Sequence, residues 1–159
     1  MGRRVIIRVR SILYATDFSP YSNQAYFHAV ALAERHAARL IIVHVQTPSP
    51  VALPDPDLDE RAYRRSQLEQ IRPLNPDIPV QHVLLEGNPA EEILRYAGEA
   101  PADLIVLGTH GRTGLERLLM GSVAEKVLRG AACSVLVVKM PKAAPVADRS
   151  EAAGVRSPV

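Results

Sequence analysis

The sequence predicts an α/β fold, a single domain built on an open parallel sheet with helices on both faces. Three observations lead there. The runs Leu40–Val45, Asp103–Leu107 and Ser134–Val138 are apolar almost without alternation, the pattern of strands covered on both sides. Between the strands lie segments with small or apolar residues at helical spacing, the mark of helices that bury one stripe. Strand alternating with helix implies parallel pairing through right-handed crossovers. A chain of 159 residues is long enough for one such core without a staple.

In order, a first strand spans about residues 8–15 and carries Val9, Ile12 and Leu13. Ser19 and Pro20 follow as a cap and a first-turn proline. The helix they open sets Ala25, Ala29, Leu32 and Ala33 on one narrow face and ends near Ala38. The second strand, Leu40–Val45, runs into residues 46–57, where Pro48, Pro50, Pro54 and Pro56 exclude regular structure. A surface loop is expected there. A charged helix occupies about residues 58–72, and its Arg61, Arg64, Arg65 and Arg72 read as a solvated face. Pro73, Pro76 and Pro79 end it before a third strand, Val80–Leu85. Asn88, Pro89 and Glu91 then make a helix start close to a capping box, with Ala90, Ile93, Leu94 and Ala97 as its buried stripe. The fourth strand delivers Gly108. Beyond it Ala124, Val127, Leu128 and Ala131 mark a helix that Gly130 helps to stop, and Ser134–Val138 is the fifth strand. Residues 1–8 read as a basic extension, 9–140 as the folded domain, and 141–159 as a disordered tail without periodicity.

Composition excludes several classes. Hydrophobic content of 47%, charged content of 23% and a formal net charge of +2 describe an ordinary globular chain rather than a nucleic-acid binder. No apolar run approaches membrane-spanning length, and Arg8 and Arg10 interrupt the apolar start, so neither a membrane segment nor a signal peptide is expected. A cytoplasmic protein is the corresponding expectation. The single cysteine, Cys133, reads as a core thiol. His28, His36 and His82 show no metal-ligand spacing with it or with one another.

The chemistry concentrates in the stretch from Gly108 to Ser122, which follows a strand and runs into a helix. Glycines at 108, 111 and 121 are expected to take positive φ and to bring bare N–H groups close to an anion. Ser122 opens the helix, whose free amides and dipole favour the same anion. In a parallel sheet ligands bind beyond the strand carboxyl ends, where the winding reverses. Three loops converge there if the first and fourth strands are neighbours. Asp17 would then accept hydrogen bonds from a nucleoside, the backbone of Val45 would meet a base edge, and the glycine stretch would take phosphates. His110 and Arg112 lie within the cradle loop, Arg112 with a charge suited to phosphate. Ala15, Thr16, Leu107 and Val123 complete the candidate lining. Asp17 has a competing reading as a cap of the helix begun at Ser19, and His44 reads as a hydrogen-bonded core histidine.

Gly108-x2-Gly111-x9-Gly121-Ser122 resembles the ATP-binding motif of the universal stress protein family, in the subclass that binds ATP. Ala15-Thr16-Asp17-Phe18-Ser19 is similar to that family's first strand-to-helix junction, His44-Val45 to its second strand end, and Ser134–Val138 to its last strand. The resemblance spans about residues 9–139. It implies a five-stranded sheet in the order 3-2-1-4-5. It also places Asp17 and the Val45 backbone at adenosine, and Gly108, Gly111, Gly121 and Ser122 at the ribose and phosphates. It further implies ATP as ligand, with or without Mg²⁺, and a homodimer in which Ser134–Val138 pairs across a two-fold axis.

Hydrolysis is a separate matter. No Gly-x4-Gly-Lys-Ser/Thr signature and no obvious carboxylate pair accompany the cradle, and phosphoryl transfer needs an oriented water and charge stabilisation. A nucleotide-dependent regulatory protein with slow or absent hydrolysis is therefore expected. Two other classes compete. An adenylating enzyme would carry a Ser-Gly-Gly-x-Asp-Ser type loop where this chain has Ala15-Thr-Asp-Phe-Ser-Pro20. A dimeric interaction module without nucleotide would have lost the motif glycines, which this chain keeps.

Overall fold

The computed structural model describes residues 7–48, 59–110 and 120–140. The expected proline-rich loop, the cradle positions Gly111 and Arg112 and the expected tail therefore lie outside the described residues, entirely or in large part. Five strands and four helices alternate: β1 (Ser11–Ala15), α1 (Pro20–His36), β2 (Arg39–Gln46), α2 (Glu60–Glu69), β3 (Val80–Glu86), α3 (Pro89–Glu99), β4 (Leu104–Gly108), α4 (Ser122–Gly130) and β5 (Ser134–Val138). All strand pairs are parallel, in the order β3-β2-β1-β4-β5. The α/β architecture and strand order expected from the sequence are those observed.

Because side chains alternate along a strand, the sheet divides its residues between two layers. Ile12, Tyr14, Leu40 and Ile42 point to one face, where Ala25, Ala29 and Ala33 of α1 and Leu68 of α2 cover them. Leu13, Ile41, Val43 and Ile105 point to the other, under Ile93 and Ala97 of α3 and Val127 of α4. Small alanines bring α1 close against the sheet. Leu128, expected on the buried stripe of α4, is 47% exposed. It stands one residue past Val127 and so is turned about 100° from that stripe. Cys133 is half-buried against the second layer, and burial pushes its thiol up from the ordinary value.

Two boundaries differ from the sequence expectation. β1 begins at Ser11 rather than near Arg8: the Asp103 carboxylate accepts the backbone N–H groups of Arg10 at 2.8 Å and Ser11 at 3.0 Å. α2 ends at Glu69 rather than Arg72. Pro73 disfavours helical backbone at the residue before it, and the Arg72 side chain turns back to donate to the Glu69 carbonyl.

The N–H of Arg10, with that of Ser11 and the nearby Arg10 and Arg39 charges, holds the Asp103 carboxyl below its ordinary value against a smaller opposing effect of burial. Its folded pKa is thus lower than its unfolded one. The resulting stability is present above the unfolded value, about 3.9, and is lost as pH falls through the folded value. Asp103→Asn should cost about 1 kcal/mol at pH 7, a charge-assisted bond discounted for partial solvent exposure. In urea melts the gap to the parent protein should narrow as pH falls below the ordinary aspartate value and through the lowered folded one. A gap unchanged by acid would show that the charge contributes nothing.

Candidate functional site

β1 leads through α1 to β2 on one side of the sheet, whereas β4 leads through α4 to β5 on the other. The winding reverses between β1 and β4, and a crevice opens beyond their carboxyl ends, as such a reversal requires. Its volume is about 420 Å³. The two layers of the sheet give it unlike walls. Ala15, Val43, Val45, Leu107 and Ile93 form an apolar wall, while Thr16, Ser22, His44, Glu60 and Arg64 form a polar one.

The turn after β1 is built by its own side chains. Phe18 takes a left-handed φ of 63°, held by donation of its N–H to Thr16 Oγ1 at 3.0 Å. The Ser22 hydroxyl donates to the Ser19 carbonyl at 2.8 Å, so the Thr16 hydroxyl, 3.1 Å from Ser22 Oγ, is the donor of that pair. Beneath the turn the buried Tyr14 hydroxyl donates to the Ser22 carbonyl at 2.8 Å, and burial keeps that phenol above its ordinary value. His44 Nδ1 lies 2.8 Å from the Thr16 carbonyl. A carbonyl oxygen only accepts, so Nδ1 carries the proton, and the ring packs on Phe18 at 4.4 Å. His44 is the hydrogen-bonded, buried histidine expected from sequence, and it also faces the crevice. Asp17 Oδ1 accepts from the Ser19 N–H at 2.9 Å, so its carboxylate bonds within the turn that leads into α1. The cap itself is Ser19.

β2 runs past the end of β1. The Val43 carbonyl accepts from Thr16 N–H on the β1 side, and the Gln46 carbonyl accepts from Gly87 N–H on the β3 side. By this alternation the amide and carbonyl of Val45 face the β1 side, beyond the last registered pair, Ala15 with Val43. A donor and an acceptor from one residue thus stand at the crevice.

The glycines act differently from expectation. Among the described residues the glycine with positive φ is Gly87, not Gly108 or Gly121. Gly108 closes β4 in register with Val138, and a Cβ there would stand 2.8 Å from the Tyr21 carbonyl oxygen and 2.9 Å from its carbon. Its missing side chain lets α1 approach the sheet. Gly121 is the extended N-cap of α4, with φ −73° and ψ 160°, and its N–H donates to the Thr109 carbonyl. Ser19, Asp59 and Asn88 cap α1, α2 and α3 through their side chains, whereas Gly121 makes no side-chain cap bond to α4. Unbonded amides at a helix start attract an anion.

Of the expected site residues, Ala15, Thr16, Asp17 and Val45 line the crevice, as do Leu107, Gly108, His110, Gly121, Ser122 and Val123. Gly111 and Arg112 lie outside the described residues. The His110 ring packs 5.3 Å from Tyr21, with Nδ1 3.1 Å from Thr109 Oγ1. Sequence reasoning missed Glu60 and Arg64, which line the crevice from α2. The solvated-face reading fails for Arg64: Arg61, Arg65 and Arg72 are exposed, but Arg64 is half-buried. The signal was its spacing, four residues before the buried Leu68 on one helical stripe. Among the described residues no group of three or more His, Cys, Asp or Glu side chains could hold a metal ion. No helix there is long and apolar enough to cross a membrane.

Comparison with known proteins identifies the relatives. Universal stress protein MJ0531 of Methanocaldococcus jannaschii is 39% identical over 142 residues, covering 84% of each chain. The universal stress protein of Thermus aquaticus from the QAH/OAS sulfhydrylase 3′ region is 38% identical, over 82% of this chain and 98% of its own. The solved structure of MJ0577, also from M. jannaschii, superposes with a TM-score of 0.69 at 30% identity, covering 86% of this chain and all of that one. The model of the universal stress protein family matches residues 8–139. With its sheet order, its crevice and these relatives, the chain belongs to the universal stress protein family.

Proposed function

We propose that this chain is an ATP-binding universal stress protein, a cytoplasmic regulator whose state is set by an adenine nucleotide that it hydrolyses slowly or not at all. The observation that carries this reading is the uncapped start of α4 facing the same crevice as the backbone of Val45. Phosphates fit the first, and a base edge with one acceptor and one donor, as adenine presents, fits the second. The ribose lies between them, beside Thr16 and Asp17. Slow hydrolysis is supported by the sequence, which carries no Gly-x4-Gly-Lys-Ser/Thr signature and no obvious carboxylate pair beside the cradle. Mg²⁺ enters with the phosphates, held by the nucleotide.

Calorimetric titration of the nucleotide-stripped protein with ATP, ADP and AMP, with Mg²⁺, tests the reading. Micromolar ATP binding is expected, and turnover far below that of a dedicated ATPase. Absence of binding would leave the fold as a dimeric interaction module.

The reading includes a homodimer joined along β5. That strand lies at the sheet edge, and an unpaired edge invites a second strand. Sedimentation equilibrium should return twice the 17.4 kDa chain mass. A monomer at micromolar concentration would remove this part of the reading.

A further inference from the structure

α2 turns one stripe inward, and that stripe changes character along its length. Leu68 at its lower end is fully buried in the core. One turn earlier stands Arg64, its side chain 23% exposed, and one turn before that Glu60. Both line the crevice. A helix position next to a core leucine is thus given to a cation, while the exposed positions on either side, Tyr63 and Arg65, leave solvent room for one.

The Arg64 guanidinium is oriented from its own helix. It donates to Gln67 Oε1 at 3.2 Å and lies 3.8 Å from Glu60 Oε1. Its Cζ also stands over the Tyr63 ring, 5.9 Å from the ring centroid, so the plane already meets one aromatic ring. Arg64 belongs to the polar wall, and Val43, Val45 and Ile93 form the apolar wall. Arg64 thus lines the same crevice as Val45, whose backbone faces the β1 side.

We propose that Arg64 is the base-clamping residue of the crevice, stacking its guanidinium on one face of the nucleobase while the apolar wall supports the other. The proposal rests on the nucleotide reading above and adds a specificity-determining side chain to it. A planar cation over an aromatic face strengthens binding by about two- to thirty-fold, most where water is excluded. The delocalised plane of arginine suits this better than the compact ammonium of lysine. The ligand class is an adenine nucleotide held by its base as well as its phosphates, so AMP gains from Arg64 as much as ATP does.

The test is titration of the full chain and of Arg64→Ala, Arg64→Lys and Arg65→Ala with AMP, ADP and ATP. Arg64→Ala should weaken all three nucleotides by one common factor of about ten. Arg64→Lys should regain little of that loss, and Arg65→Ala, which removes the same charge from an exposed neighbour, should match the parent. A loss that grows from AMP to ATP would assign the guanidinium to phosphate and overturn the proposal. So would full recovery in Arg64→Lys or no loss in Arg64→Ala. Failure of the parent protein to bind any of the three would instead overturn the nucleotide reading, and this inference with it.

Discussion

Gly108→Ala should lower the free energy of unfolding by about 3 kcal/mol, the upper end of the range for an overpacked site, and the melting temperature by roughly 10 °C. The added Cβ would meet the carbonyl of Tyr21 at 2.8 Å and come within 3.2 Å of the Ser22 nitrogen. Both belong to the backbone of α1, so no rotamer change relieves the contact. Either α1 lifts from β4 or the end of β4 bends away from β5, its partner at Val138. Ser22 also joins the Thr16 and Tyr14 hydroxyl network, so the strain spreads into the turn after β1. Thermal unfolding followed by circular dichroism measures the cost. A change below about 1 kcal/mol would mean that α1 adjusts more freely than a closely packed layer allows.

Gly121→Val separates ligand binding from folding. Its φ of −73° and ψ of 160° lie in the extended region that valine favours. The substitution carries no backbone strain, and the loss of a tolerable cap residue costs about 1 kcal/mol. The new side chain would stand at the mouth of α4, where phosphates would otherwise meet the first-turn amides. Charge-assisted bonds contribute about 1.5–3 kcal/mol each, so displacing two of them should weaken ATP at least a hundredfold. Titration beside a thermal melt reads both effects. Undiminished ATP affinity in a folded Gly121→Val protein would move the phosphates elsewhere.

The contrast between these glycines shows what was legible in the sequence. Strand and helix positions were, because the caps at Ser19 and Asn88 and the apolar runs express local physics that the fold does not contradict, whereas the strand order came from the family resemblance. The convergence of the crevice residues followed from strand ends once the first and fourth strands are neighbours, an order that the family resemblance implied. The reason for Gly108 was not legible, since it depends on how near α1 passes, which only packed alanines determine. Arg64 was hidden for a related reason. Three arginines on one short helix, Arg61, Arg64 and Arg65, look alike until the register of Leu68 against the sheet shows which of them turns inward. The early end of α2 was legible in Pro73, but the later start of β1 was not, because Asp103 acts on Arg10 and Ser11 across 93 and 92 residues of chain.

The overhang of β2 beyond β1 carries an evolutionary consequence. In the nucleotide reading the base is met at Val45 by atoms that every L-amino acid but one possesses, so point substitution leaves this contact intact whatever side chain it installs. Proline alone would erase it, by removing the N–H. Drift at position 45 is thus free to retune the apolar wall while the donor and acceptor pass unaltered from one generation to the next, invisible to any comparison that reads side-chain identity.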